Sequence, residues 1–346
     1  MGGLGIPRAE NIAVSAFLGS TVDTSELQLL ICKSEAQYKV EVARLVDLWN
    51  RTHHSAKQIT AESDDLKTGK TQRALTEEVH ETTLRFLKEN GDATFRTIVL
   101  ANTMERSGKW TDVLPNSTHG LFMNADAFSA ALKYRLGIDI FNHRTKCSLC
   151  NKSVVDKRGH HLATCKKIHA VHHNHLRDLL HAEAARAHLS PMKEPLHLLI
   201  GNRGNQRPAD VLIPNFVSGR DLCIDVTVVS TFRDVRQGSQ QQGYHAECAA
   251  TTKTKKYENA VRDQRMDFVP FAMECMGGLS KSCEKVLSLI GQNLASVTNS
   301  SPHAAKNRVH DKLVFQWMRD LGTTLAYHAR QMSQNMLTYN TYKQGH

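Results

Sequence analysis

Apolar residues recur at helical spacing through the first 140 positions. In KVEVARLVDLWN, Val42, Leu45, Val46 and Trp49 fall on one helical face. TEEVHETTLRFLKEN repeats this with Val79, Thr83, Phe86 and Leu87. NADAFSAALKYRLGI carries Phe128, Ala131, Leu132 and Leu136, and Gly137 is placed to cap its end. Polar connectors such as SGKWTDVLPNSTHG lie between. Residues 1–140 therefore predict a helical support or docking region with no evident chemistry.

The texture then changes. Residues 141–166 are short-period, Cys- and His-rich, with Gly159 at a turn. Residues 167–188 predict an amphipathic helix around Leu176, Leu179 and Leu180. PLHLLIG, ADVLIP and DLCIDVTVV are short apolar runs bounded by Pro, Gly and Asn, which predicts three strands. PNFVSGRD is the expected hairpin connection between the second and third. A helix follows over GYHAECAATTKTKKYENAVRDQ, a strand over DFVPFAMEC, and helices over KSCEKVLSLIGQNLASV and NRVHDKLVFQWMRDLGTTLAYHARQMSQ, with TNSSPHAAKN as linker. The fold class expected is α/β (α+β): a mixed sheet flanked by helices, preceded by a helical region.

Composition narrows the function classes. The 346 residues are 40% hydrophobic and 23% charged, an ordinary globular balance. The formal net charge of +10 favours a polyanionic partner, nucleic acid first. No apolar run reaches the length of a membrane span. The first residues show no signal-peptide pattern, and Ile6 stands where a myristoylation site needs Ser or Thr. A cytoplasmic or nuclear protein is expected. Of 8 cysteines, three cluster within 147–165, which predicts one metal site plus free thiols rather than a disulfide framework.

CSLCNKSVVDKRGHHLATC supplies Cys147, Cys150, His161 and Cys165, with His160 as the alternate histidine. Two thiolates from one tight turn, a third thiolate and an imidazole complete a structural Zn²⁺ shell with no open position. His169, His172, His173 and His175 are expected on the surface of the next helix or at a phosphate.

The second candidate is acidic. Asp210 begins one expected strand and Asp225 lies within the next, sharing a face with Cys223 and Thr227. Antiparallel neighbours could bring both carboxylates to one hard cation, Mg²⁺ or Mn²⁺. Lys253 and Tyr257 share a face of the following helix, with Lys256 one residue off it. From spacing alone, two strand-end aspartates and a solvated lysine face account for the same residues.

The order of motifs decides between these readings. The paired cysteines, D-x-x-G-x-H-x-x-x-C, E-P, R-P-A-D, I-D-V-T-V, K-x-x-K-Y and F-V-P-F-x-x-E follow one another. Together, over roughly residues 120–280, they resemble the C-terminal part of non-LTR retrotransposon reverse transcriptase polyproteins. There a CCHC zinc knuckle precedes a restriction-like endonuclease of the PD-(D/E)xK type. The resemblance implies a three-layer nuclease core that nicks target DNA. Residues 1–140 would be the linker from the polymerase, 141–170 the knuckle, 171–300 the nuclease core and 301–346 a C-terminal helix. It assigns Asp210 and Asp225 as magnesium ligands, Lys253 as the catalytic lysine with Tyr257 its companion, and Arg207 and Lys256 as DNA contacts. Glu194 matches the E-P acid, with Glu183 a weaker candidate for that role. Ala209 intervenes between Pro208 and Asp210, and Thr227 stands where the simplest enzymes of this type have lysine. No polymerase active site is found, so the chain is expected to be a C-terminal portion. Its expected partners are DNA, RNA as a second candidate, and the polymerase portion. The rival reading is a catalytically inactive, nucleic-acid-binding zinc-knuckle remnant.

Overall fold

Ser34 starts the third helix: its Oγ accepts from Gln37 N, meeting one of the unpaired N–H groups of the first turn. Such local caps, together with the apolar stripes, fix the helices seen in the computed structural model. It describes residues 9–344, with 54, 68 and 119 excepted. The expectations about the first six residues lie outside the described residues.

The chain divides into two packed units, the first ending at Gly91 and the second beginning at Asp92. The first holds α1 (Ala9–Asp23), α2 (Ser25–Cys32), α3 (Glu35–Thr52) and α4 (Thr71–Asn90). Its core is Leu18, Val42, Leu45, Val46, Trp49, Leu75 and Val79, with Ile59 and Leu66. α1 meets α4 closely at Gly19, where a Cβ would fall 2.6 Å from Gln72 N. The expected α3 face is the buried one. On α4, Val79 is buried but Phe86 is exposed.

The second unit begins with α5 (Ala93–Asn102) and α6 (Ala125–Leu136). These helices pack in the unit that carries the sheet, α6 against the last helix, so the break falls near residue 91 rather than at 140. The buried face of α6 is Ala127, Ala130, Ala131 and Tyr134, one position away from the stripe through Phe128. Gly137 caps the helix in the left-handed region at φ 68°, as expected.

Next come the hairpin β1 (Thr145–Lys146) and β2 (Val154–Val155), the single turn α7 (His160–Ala163) and α8 (Lys166–Arg186). Then follow β3 (Met192–Lys193), β4 (Val211–Val217), β5 (Arg220–Val229), α9 (Val235–Gly238), α10 (Tyr244–Asp263), β6 (Asp267–Glu274), α11 (Cys283–Thr298) and α12 (Pro302–Gln344). The four-stranded sheet runs β3-β4-β5-β6, antiparallel except for the β5–β6 pair. This is the α/β class expected.

Two expected elements differ. PLHLLIG is not a strand: Glu194, His197 and Gly201 sit at φ 46°, 59° and 62°, and left-handed residues cannot extend. TNSSPHAAKN is mostly helix, because Pro302 opens α12 at its first turn, where a missing N–H costs nothing. The β4–β5 turn narrows to Ser218 and Gly219, both at positive φ, as a two-residue hairpin requires.

Period-two alternation splits the sheet between two cores. Val211, Ile213, Leu222, Ile224, Val226 and Val228 face a large cluster that includes Leu176, Leu180, Ile290 and Trp317. Leu212 and Cys223 face a smaller one with Tyr257, Val261 and Met266. Asp225 falls on the Cys223 side, toward α10. Among the described residues, no helix is long and apolar enough to cross a membrane.

Candidate functional site

Two clusters of chemistry-bearing side chains lie in the second unit. The first is the cysteine–histidine group. Cys147 follows β1 directly, and its backbone N–H bonds to Ser153 O across the hairpin, folding Cys150 back beneath it. Gly159, at φ 79°, turns the chain into α7, which presents His161; Cys165 stands at the start of α8. A side chain at 159 would strike Leu325 of α12 at 2.4 Å, so the turn tolerates only glycine.

The Sγ atoms of Cys147, Cys150 and Cys165 and a ring nitrogen of His161 all lie within 4.8 Å of one another. With Zn–S near 2.3 Å and Zn–N near 2.0 Å, a tetrahedral shell has S···S edges of about 3.8 Å and S···N edges of about 3.6 Å. Cys147 Sγ to Cys165 Sγ is 3.8 Å, and Cys150 Sγ to His161 Nε2 is 3.5 Å. The donor set and its spacing fit Zn²⁺. Backbone N–H groups of Ser153 and Lys152 pull the Cys150 thiol down to about 5, while burial pushes Cys165 up to about 11. Cys150 is thus the first of the two to become a thiolate.

His160 is not in this group. Its Nδ1 lies 3.0 Å from Asp156 Oδ2, and its ring stacks on Phe232 at 3.6 Å. The cluster is also docked: Ser148 Oγ is 2.8 Å from Nδ1 of the buried His328 on α12. That contact leaves no mark in the local sequence. The seven cysteines whose side chains are described are free thiols.

The second cluster sits where β5 outruns β4. Val226 N–H and C=O face the place where β4 would continue, and a buried backbone pair must be met by something. Asp210 Oδ2 accepts from Val226 N at 2.6 Å. His173 Nε2, from α8, lies 3.1 Å from Val226 O and 3.2 Å from Asp210 Oδ2. Since a carbonyl only accepts, Nε2 is the protonated nitrogen. Asp210 is held through Oδ2, and its Oδ1 has no partner among the described residues. The carboxylate raises the His173 pKa above the usual imidazole value. The expectation that His173 would lie on the helix surface or at a phosphate is thereby corrected; the one trace in sequence was the histidine excess on α8.

Asp225 is buried, and Lys253 Nζ of α10 approaches its Oδ2 to 2.8 Å. The approach lies off the hydrogen-bond axis, so Oδ2 gains the charge without an aligned N–H. Burial raises the Asp225 pKa; Lys253 opposes this, and the Asp210 charge adds to it. Lys253 and Tyr257 do share one helical face, together with Ala246, Ala250 and Val261.

The remaining residues are placed as follows. Tyr257 is buried between Phe268, 5.8 Å away by ring centroid, and the exposed Lys256, whose Nζ is 4.5 Å from its ring. Arg207 is exposed at the mouth of the Asp210 turn. Glu194 pairs with Arg177 of α8, and its backbone N–H bonds to Asp210 O, so the sheet holds it beside Asp210 while its carboxylate is committed elsewhere. Glu183 is bound to Arg186 and Lys312 near the far end of α8. Among the described residues, Glu194 and Glu183 do not gather with Asp210 and Asp225 into a three-acid group.

Pattern reading missed the role of Glu274, the last residue of F-V-P-F-x-x-E. It is buried, and its Oε1 accepts from His245 N at 3.1 Å and Ala246 N at 3.3 Å, capping α10 from β6. The helix that carries Lys253 is thus pinned at its first turn.

No family model and no curated protein matches the chain.

Proposed function

We propose that this chain is the endonuclease portion of a retroelement polyprotein, a metal-dependent phosphodiester hydrolase that nicks DNA. One observation carries the reading: Asp210, Asp225 and Lys253, from a strand start, a strand interior and a separate helix, converge on one end of the sheet. Two carboxylates and an amine, drawn together from three elements, suit phosphate hydrolysis better than they suit a core.

Asp210 and Asp225 are the residues that would hold Mg²⁺ or Mn²⁺, hard cations matched to oxygen donors. Such an ion supplies a more acidic water and offsets charge on the phosphate. Val226 N–H and His173 fix Asp210 by one oxygen and leave the other outward. Lys253, about one-third exposed, places a positive charge beside the phosphate or its attacking water. It takes the place of the strand lysine absent at Thr227. Arg207 and Lys256 are exposed cations and would hold DNA backbone. Tyr257 supports the helix face that presents Lys253. The zinc knuckle, docked on α12, is the second nucleic-acid contact. DNA is the substrate, RNA and the polymerase portion are the further partners, and the nucleus is the site of action.

The second reading, an inactive nucleic-acid-binding remnant, draws on the fact that His173 and Lys253 already answer both carboxylates. A nicking assay separates the two. Purified protein meets supercoiled plasmid with Mg²⁺ or Mn²⁺, beside an Asp210→Ala/Asp225→Ala variant. Cutting by the parent alone supports the nuclease. A plasmid retarded but uncut by both leaves the remnant.

A further inference from the structure

We propose that the loop over residues 195–207 seats duplex DNA at the Asp210–Asp225 pair, with Arg203 and Arg207 on its phosphates and Leu196 and Ile200 against its groove. The inference rests on the nuclease reading and adds to it the form of the substrate and the element that engages it.

The loop runs from the Arg177–Glu194 ion pair to Asp210 itself. No acidic residue occurs between Glu194 and Asp210 in the sequence. Arg203 and Arg207 are exposed and have no ion-pair partner among the described residues, unlike Arg177, Arg186 and Arg220 nearby. Leu196 is 57% exposed and Ile200 is 72% exposed. Each leaves a large aliphatic side chain in water that burial against a partner would favour. Between them Leu199, 3% exposed, packs in the cluster of Ala209, Leu212 and Tyr257. Leu199 and the partly buried Leu198 anchor the loop to the site, while Leu196 and Ile200 stay exposed.

Two free guanidinium groups select a polyanion. The loop has no Phe, Tyr or Trp, the side chains on which single strands stack. Aliphatic side chains beside arginines instead suit a duplex groove, where Leu or Ile wedges against a base step and opens it. Opening a step next to the carboxylate pair would present its phosphate to Asp210.

The test uses the full chain, a short duplex and the matching single strand, without added divalent cation. 2-Aminopurine in the duplex reports unstacking. Arg203→Ala/Arg207→Ala is expected to weaken duplex binding at least tenfold and to lower the slope of log K against log salt by about 2, near 0.9 for each phosphate no longer neutralised. Leu196→Ser/Ile200→Ser is expected to abolish the 2-aminopurine rise and leave that slope unchanged. Both variants should unfold at the parent's temperature, since the altered groups are exposed. Parent-like binding, slope and fluorescence in both variants overturn the inference, as does a weakening confined to the single strand. A parent that shows the loop-dependent binding but never nicks plasmid overturns the nuclease reading and leaves the loop's role standing.

Discussion

Lys253 Nζ lies 2.8 Å from Asp225 Oδ2, and the two are unequally buried: the lysine side chain is 29% exposed, the aspartate 7%. This asymmetry predicts unequal mutants. Lys253→Met strands a buried carboxylate and should cost roughly 2 kcal/mol at neutral pH, below the full cost of breaking a buried pair because water reaches the lysine. Asp225→Asn leaves an amine that can turn to solvent, so stability should hold or rise, while nicking falls at least about 100-fold, the scale of removing a charge that steadies the transition state. The sign with pH follows. An acid whose folded pKa is raised contributes stability below its unfolded pKa and loses it as pH rises through the folded value. The Lys253→Met deficit should therefore shrink on acidification. Chemical denaturation across pH tests this; a deficit no larger than that of Asp225→Asn rejects the assigned pairing.

His173 anchors Asp210 by donating from Nε2. His173→Ala should lower nicking about tenfold or more, with the fall in kcat rather than a rise in KM. His173→Gln, which keeps a donor, should recover part of it. Equal impairment in both variants, or an effect only on KM, would mean that the histidine does not position the carboxylate.

The knuckle should bind one zinc per chain, read by metal analysis of purified protein. His161→Ala or Cys165→Ser should lose the ion and cost about 3 kcal/mol or more. His160→Ala should keep it, since His160 is engaged by Asp156 and Phe232. Zinc absent from the His160 variant but kept in the His161 variant would reverse the assignment.

His172 packs edge-on against Trp317, its Nε2 lies 3.1 Å from Thr324 Oγ1, and burial pulls its pKa down to about 4. A folded pKa below the unfolded value gives stability that is full above the unfolded pKa, near 6.5, and is lost as pH falls through the folded one. The shift corresponds to a decrease on the order of 3 kcal/mol between these limits. His172→Leu should flatten the acid limb of the stability curve over that range. An unchanged acid limb would show that another group sets it.

Glu274 caps α10 from the neighbouring strand. Glu274→Ala should cost about 2 kcal/mol, the scale of two buried N–H groups left without an acceptor at a helix N-terminus. It should also speed chemical acetylation of Lys253, read by mass spectrometry. Glu274→Gln, still an acceptor, should do less of both. Unchanged Lys253 labelling would separate the cap from the placement of the lysine.

The Cys3His cluster was legible because a metal-binding shell is local. Cys147, Cys150, His161 and Cys165 span few residues, and tight turns alone bring them together. Long amphipathic helices and strongly β-branched strands were legible too, since burial of one face imprints its period on the chain. What only the tertiary structure decided is whatever depends on contacts distant in sequence. The α6 face shifted by one position because its partner is α12, some 200 residues on. PLHLLIG reads as a strand by composition, yet left-handed His197 and Gly201, a left-handed Glu194 just before it and an anchoring Leu199 make it a loop. Asp210 and Asp225 could be named from sequence. That His173 holds the first, Lys253 answers the second and Glu274 pins the helix between them was settled by packing: unpaired backbone groups and buried charges must find partners, and the folded chain supplies them from wherever it passes.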